Sequence, residues 1–150
     1  NYIATLVNGG THYSAHLLKS VKSYDYSEVL YEREPEVLDT IEIAPENLNA
    51  VLEGMRLVAA EGGTTYRFFK DLPVTVGAKT GSAQVSSTTE SNAVFVCFAP
   101  YEDPEIALAV VVEKGGSGME LAAIAADVLE YYFSTGTGLE AAAKENTLLR

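Results

Sequence analysis

The chain has 150 residues, of which 47% are hydrophobic and 21% are charged, and this balance is typical of one compact globular domain. Its formal net charge of -11 argues against nucleic acid as a partner, because an acidic surface repels a phosphate backbone. No apolar run approaches the ~18 residues that a membrane span needs, and no signal peptide opens the sequence. We therefore expect this chain to be soluble.

The first predicted element is the end of a helix. Its apolar residues recur at helical spacing, and two glycines able to form a left-handed cap follow them: Ile3, Leu6, Val7, Gly9 and Gly10. No first turn precedes them, so we expect residue 1 to be a boundary set by design or cleavage.

Residues 13–33 then place turn residues between two short extended runs, which predicts a hairpin.

A helix and three strands follow the hairpin. Pro45 and Glu46 suit a first helical turn, and apolar residues then recur with a period of about 3.6 up to a Gly-Gly pair. The predicted strands are residues 74–85, 92–99 and 106–113. Their short connections indicate an antiparallel meander. The third strand is apolar throughout, so we expect both of its faces to be covered by helices.

A closing helix completes the predicted fold. Ser117 and Glu120 have the spacing of a capping box, and an apolar stripe from Leu121 to Tyr132 predicts a helix that packs on the sheet. Residues 135–150 are expected to form a frayed tail. The order of elements predicts an α+β fold, in which an antiparallel sheet is flanked by helices.

The first of the three strands carries Lys79-Thr80-Gly81, one of three motifs that build a serine acyl-transfer site. The other two motifs are absent, since no Ser precedes a Lys by three positions and no Ser precedes an Asn by two. A phosphate-binding loop would need Gly where Pro73 and Ala78 stand, so that alternative is rejected. Either the nucleophile of such a site lies outside this chain, or the three-residue match is accidental.

Other reactive side chains give weaker signals. His12 and His16 are four residues apart, but this spacing directs two imidazoles at one metal only on a helix, and the glycines have just ended one. Cys97 lies in an apolar run without a disulfide partner and is expected to pack in the core. We predict neither a metal site nor a cofactor.

Several segments together resemble one known family. They are residues 1–11, 54–58, 62–64, 77–84, 92–104 and 129–133. With this order of elements, residues 1–134 resemble the C-terminal part of the transpeptidase domain of class B penicillin-binding proteins. Ala78 and Ser82 depart from the family pattern, in which Gly and Thr are frequent at these positions. The family places its Ser-x-x-Lys and Ser-x-Asn motifs earlier in the chain, which would explain their absence here.

The resemblance implies a parent protein that cross-links peptidoglycan stem peptides by D,D-transpeptidation. Such a parent has one N-terminal membrane helix, works on the extracytoplasmic face of the bacterial membrane, and is acylated by beta-lactams on its serine. The expected partners are D-Ala-D-Ala stem peptides, beta-lactams and the N-terminal remainder of the same domain. This chain alone is expected to be inactive, because it lacks the nucleophile.

Four residues are the candidate site. The resemblance implies that the backbone N–H of Ser82 donates to the oxyanion of the attacked carbonyl, and that Lys79 supplies a positive field. Strand alternation puts the hydroxyls of Thr80 and Ser82 on one face, where both could bind the carboxylate of a stem peptide or beta-lactam. Gly81 lacks a Cβ that would block the incoming acyl group.

Two alternatives and one further expectation remain open. A beta-lactamase or D,D-carboxypeptidase fragment would share the same strand, although it would usually lack the acidic hairpin region. A non-catalytic beta-lactam sensor or envelope-assembly module would keep the fold without turnover. If strands from an absent part normally continue the sheet, residues 106–113 form an unpaired edge, and we predict that this chain self-associates.

Overall fold

The computed structural model describes residues 1–134, which fold into two compact units. Unit 1 comprises Asn1–Leu48, and unit 2 begins at Asn49. Composition alone predicts one compact domain, because it does not reveal how buried residues are distributed along a chain. The predicted tail, residues 135–150, lies outside the described residues.

Unit 1 contains one short helix and four short strands. These are α1 (Tyr2–Val7), β1 (Thr11–Tyr13), β2 (Ser20–Lys22), β3 (Val29–Glu32) and β4 (Val37–Thr40). The predicted helix end is confirmed: Gly9 and Gly10 have φ angles of 86° and 96°, and the Gly10 N–H donates to the Thr5 carbonyl at 2.9 Å. Only Ile3, Thr5 and Leu6 are buried among the residues of α1.

The four strands form two antiparallel pairs. The predicted hairpin is confirmed as β2 with β3, while the pairing of β1 with β4 joins residues far apart in sequence and was not predicted. Each pair contains a register shift, and every residue of β3 and β4 is exposed. These strands are too short and too exposed to show a clear alternation of apolar and polar residues.

Unit 2 holds the three-stranded sheet. Its elements are β5 (Gly77–Ala83), β6 (Asn92–Ala99), β7 (Ile106–Val112), α3 (Tyr66–Phe69) and α4 (Ala122–Ser134), together with most of α2 (Pro45–Ala59). The strand order β5-β6-β7, with both pairings antiparallel, confirms the predicted meander. The helix predicted from Pro45 is confirmed as well, and the predicted closing helix is α4.

One face of the sheet carries the core of unit 2. Ala93, Phe95 and Cys97 on β6 pack with Ala122 and Leu129 of the closing helix region, and the Phe95 ring stacks on Phe69 at a centroid distance of 6.0 Å. These side chains alternate along β6 because successive residues of a strand point to opposite faces. A closing helix on the sheet is thereby confirmed.

Two local predictions are wrong. The expectation that helices cover both faces of the 106–113 strand fails within residues 1–134, since β7 is an edge strand and Ala107, Ala109 and Val111 are exposed. The capping box does not form either: Ser117 Oγ accepts from the Met119 N–H at 3.3 Å, and Glu120 instead pairs with Arg67. The start of α4 at Ala122 explains this, because Ser117 lies too far upstream to cap it.

Candidate functional site

The four candidate residues lie consecutively on β5, an edge strand of the described sheet. Lys79 is opposite Val96, Thr80 opposite Phe95, and Ser82 opposite Ala93, without a bulge. Because β5 pairs with β6 on one side only, alternate backbone N–H and C=O groups along its other side have no ladder partner within residues 1–134. An edge of this kind presents backbone donors to a ligand.

Thr80 and Ser82 share one face of the strand, as predicted. Directly opposite residues of an antiparallel pair point to the same face, so both lie on the side of Phe95 and Ala93 that carries the core. The core ends before it reaches them: Phe95 and Ala93 are fully buried, whereas Thr80 is partly exposed and Ser82 is exposed. Both hydroxyls are therefore accessible at the margin of the core.

Lys79 points to the other face and is exposed. Its Nζ curls back and donates to the carbonyl of Thr80 at 2.6 Å. This contact holds the ammonium close to the strand backbone, next to the carbonyl of the neighbouring residue. The positive charge is thus within the motif itself, although it lies on the opposite face from the two hydroxyls.

Gly81 has no structural need to be glycine in this unit. Its φ angle is not left-handed, and a Cβ would meet only Val94, whose Cβ would be 3.5 Å away in ordinary contact. Gly77 differs, because a Cβ there would collide with the Phe98 ring. The position that a Gly81 side chain would occupy is therefore open apart from ordinary contact with Val94.

Gly118 touches the motif and was missed by sequence reasoning. Its backbone lies against β5 and β6, so that a Cβ would collide with the carbonyl oxygens of Gly81 and Val94. Its N–H donates to Ser82 Oγ at 3.4 Å. The only sequence signal was the cluster Gly115-Gly116-Ser117-Gly118 directly after a strand, which the capping-box interpretation obscured.

The remaining candidates are placed away from β5. Cys97 is fully buried and desolvation raises its pKa to about 12, which confirms a core role. His12 lies on β1 with its Nδ1 3.0 Å from Asp39 Oδ1, and His16 Nδ1 contacts the carbonyl of Ser14 at 3.2 Å. Within residues 1–134, no group of three or more His, Cys, Asp and Glu is arranged to hold a metal ion.

Unit 2 also has a half-open pocket of about 250 Å³ near the start of β5. Tyr66, Lys70 and Pro73 are among the residues that line it, and none of the four candidate residues does. This pocket is therefore not the candidate site.

None of the helices described up to Ser134 combines the length and the apolar composition that crossing a bilayer requires.

Residues 1–130 match the family model of the penicillin-binding protein transpeptidase domain. The chain belongs to this family. It is 31% identical over 149 residues to the peptidoglycan D,D-transpeptidase MrdA of Haemophilus influenzae, covering 86% of this chain and 22% of that protein. The corresponding protein of Salmonella typhimurium is 29% identical over 147 residues, or 87% of this chain and 23% of the relative. The chain thus spans less than a quarter of the length of these curated relatives.

Solved structures agree with this penicillin-binding protein assignment. Pseudomonas aeruginosa PBP2, solved in complex with WCK 5153, matches with a TM-score of 0.66 and 31% identity over 86% of this chain and 28% of that one. Penicillin-binding protein A of M. tuberculosis, solved as an imipenem acyl-enzyme complex, matches with a TM-score of 0.62 and 28% identity over 83% of this chain and 28% of that one. The α+β class and the antiparallel sheet are confirmed by these matches.

Proposed function

We propose that this chain forms one wall of the acyl-transfer site of a peptidoglycan D,D-transpeptidase. The observation that carries the proposal is β5, which places Lys79-Thr80-Gly81-Ser82 on an exposed sheet edge in a chain of the penicillin-binding transpeptidase family. Relatives named as D,D-transpeptidases and a neighbour solved as a beta-lactam acyl-enzyme support the same chemistry. The reaction is the transfer of a stem-peptide acyl group from D-Ala through a serine ester to an acceptor amine.

The main role that we propose for β5 is to stabilise the oxyanion. When the serine attacks, the carbonyl oxygen gains negative charge, and a preorganised backbone donor is worth about 3 to 4 kcal/mol of barrier. The N–H of Ser82 is the proposed donor, because it lies on an edge strand where alternate amides are free of the ladder. Gly81 beside it leaves space for the acyl group, which fits the absence of any packing reason for glycine there.

The substrate carboxylate would bind next to the oxyanion site. The hydroxyls of Thr80 and Ser82 share one face and are accessible, so two donors can converge on one carboxylate. Lys79 adds positive charge beside the strand, where its Nζ lies 2.6 Å from the Thr80 carbonyl. Carboxylates are common to D-Ala-D-Ala ends and beta-lactams, so both ligands would use the same donors.

The nucleophile and its base would come from another part of the parent protein. No Ser-x-x-Lys or Ser-x-Asn motif occurs in these 150 residues, so we propose that this chain alone forms no acyl-enzyme. An N-terminal remainder of the domain would pair with the free edge of β7 and cover the exposed Ala107, Ala109 and Val111. A single N-terminal membrane helix would hold the parent on the extracytoplasmic face.

The test is covalent labelling of the full-length parent by a fluorescent penicillin. We expect labelling of the parent and none of the isolated chain. Gly81→Val should lower the acylation rate at least roughly 100-fold by blocking the acyl group, and Lys79→Ala should lower it by about 10-fold or more, as expected for losing electrostatic stabilisation. Lys70→Ala is the matched control, since Lys70 is another exposed lysine of unit 2 that lies off β5.

Three outcomes would contradict the proposal in different ways. Labelling of the isolated chain would place the nucleophile within it. Rapid hydrolysis of the label would instead indicate a beta-lactamase or a D,D-carboxypeptidase. Stable labelling without cross-linking of stem peptides would indicate a beta-lactam sensor or an envelope-assembly module.

The free edge of β7 leads to a proposal about the isolated chain. Ile106–Val112 contains no charge, no Pro and no Gly, and one face of it is exposed, so edge pairing with a second copy would hide apolar surface. We expect light scattering to detect self-association, and Val111→Lys to reduce it by charging the exposed face. A monomer at high concentration without that substitution would contradict this expectation.

A further inference from the structure

The chain segment after β7 returns across the ends of β5 and β6. Two bonds tie it to the start of β6 and to the residue before it: the Lys114 N–H donates to Asn92 Oδ1 at 3.0 Å, and the Gly116 N–H donates to the Ser91 carbonyl at 2.9 Å. Gly115 is packed so closely that a Cβ there would lie 2.9 Å from the Cβ of Ala93. The segment is therefore fixed against the sheet before it reaches Gly118.

At Gly118 the main chain lies directly on the backbone of the motif strand. A Cβ would collide with the carbonyl oxygens of Gly81 and Val94 and would come within 2.9 Å of the Gly81 nitrogen. The φ angle of Gly118 is not left-handed, so conformational freedom does not explain the glycine. Position 118 is instead restricted to glycine by lack of space. The restriction comes from Gly81 and Val94, the residue pair next to Ser82, whose N–H is the proposed oxyanion donor.

The same glycine contacts the proposed carboxylate donor. Its N–H donates to Ser82 Oγ at 3.4 Å, which is long for such a bond and makes it a weak one. A serine hydroxyl has one proton and two lone pairs. With one lone pair facing the Gly118 N–H, the hydroxyl proton is left to point toward another acceptor.

We propose that Gly118 is a positioning residue for acylation: its close approach to Gly81 and Val94, with its N–H on Ser82 Oγ, orients the Ser82 hydroxyl to donate to the ligand carboxylate. This inference rests on the proposed function and deepens it by adding a residue from outside the motif strand. Gly118 itself touches no reacting atom. It acts through the position of Ser82.

The kinetic test compares the full-length protein with Gly118→Ala, Ser82→Ala and the double variant. Each is acylated by a penicillin and by the methyl ester of the same penicillin, which lacks the carboxylate charge. We expect Gly118→Ala to slow acylation by the acid roughly 10- to 100-fold, as a displacement of about 1 Å does, and to slow acylation by the ester much less. In the Ser82→Ala background, Gly118→Ala should not change the acid-to-ester rate ratio further.

The matched control is Gly54→Ala in α2, where a Cβ would meet nothing within 4 Å. It should leave both acylation rates unchanged. Equal slowing of the acid and the ester by Gly118→Ala would overturn the inference, because general damage to the strand does not distinguish the two ligands. An unchanged acid rate in Gly118→Ala would overturn it as well.

A second measurement does not depend on whether Gly118→Ala folds. In the full-length protein, Ser82→Ala should speed hydrogen exchange of the Gly118 amide several-fold by removing its acceptor. The Gly116 amide, which is bonded to the Ser91 carbonyl, should exchange at its original rate. Unchanged exchange at Gly118 would refute the contact. If the unsubstituted protein is not acylated at all, the proposed function fails and the inference fails with it.

Discussion

The two units of this chain use similar residue types in different ways. Unit 2 builds a sheet whose strands are seven or eight residues long and paired without a bulge, with Phe95, Phe98 and Leu129 fully buried. Unit 1 has strands of three or four residues, each pair with a register shift, and it leaves Leu17 and Tyr24 fully exposed. Regular pairing with a packed face is what the proposed donor strand β5 would need to hold its backbone in place.

The largest expected effect is on the core of unit 2. Phe95→Ala should lower the free energy of unfolding by about 3 to 5 kcal/mol, because it removes a fully buried ring that stacks on Phe69 at 6.0 Å. Urea denaturation followed by circular dichroism measures the loss. Tyr24→Ala in unit 1 is the control, since its exposed ring should contribute less than about 0.5 kcal/mol.

An equal loss of unfolding free energy in Phe95→Ala and Tyr24→Ala would contradict the distinction between the units. It would mean that Tyr24 is covered in solution, and that exposure in this chain is a poor guide to stability. A cost below about 1 kcal/mol for Phe95→Ala would instead show that the face of the sheet is not packed as described.

A smaller effect is expected in unit 1, where Leu6 is one of few buried residues. Leu6→Ala should cost about 2 kcal/mol, at the low end for such a change, because few neighbours surround the cavity. The readout is hydrogen exchange of the Gly10 amide, which donates to the Thr5 carbonyl at the end of α1. Leu17→Ala, which removes an exposed side chain, should leave this exchange rate unchanged. Equal acceleration by both substitutions would mean that unit 1 has no distinct core.

The same contrast explains how far the sequence predicts the structure. From α2 onward the elements follow from local pattern: Pro45 begins α2, and the apolar runs at 92–99 and 106–112 become β6 and β7. In unit 1 the end of α1 and the β2–β3 hairpin are local enough to predict. The β1–β4 pair joins Thr11 to Thr40, and no short-range pattern specifies a contact over that separation.

The candidate site shows a similar limit. Lys79, Thr80, Gly81 and Ser82 can be proposed from the sequence alone because they form one continuous motif on one strand. Gly118 cannot be proposed in this way, since its close contact with Gly81 and Val94 joins residues far apart in sequence. Coverage of β7 is also mispredicted, because an apolar strand does not specify which part of a protein covers it.

The smallest predicted effect concerns the turn of the β2–β3 hairpin in unit 1. Asp25 Oδ1 accepts from Ser23 Oγ at 2.7 Å, from Ser27 Oγ at 2.8 Å and from the Ser27 N–H at 3.2 Å. These bonds favour the charged carboxylate and lower the pKa of Asp25 from 3.8 to about 2. The bond from Ser23 makes the largest contribution to this shift. Because the folded pKa is the lower one, the stabilisation of the turn is present above pH 3.8 and is lost as the pH falls toward 2.

A carboxyl titration followed by NMR should find the midpoint of Asp25 near 2. Ser23→Ala should raise it toward the ordinary value of 3.8, since it removes the largest cause of the shift. Ser20→Ala removes a hydroxyl from the same hairpin and should leave the midpoint in place, because Ser20 does not contact Asp25. An ordinary midpoint in the unsubstituted chain would show that the turn is not formed in solution.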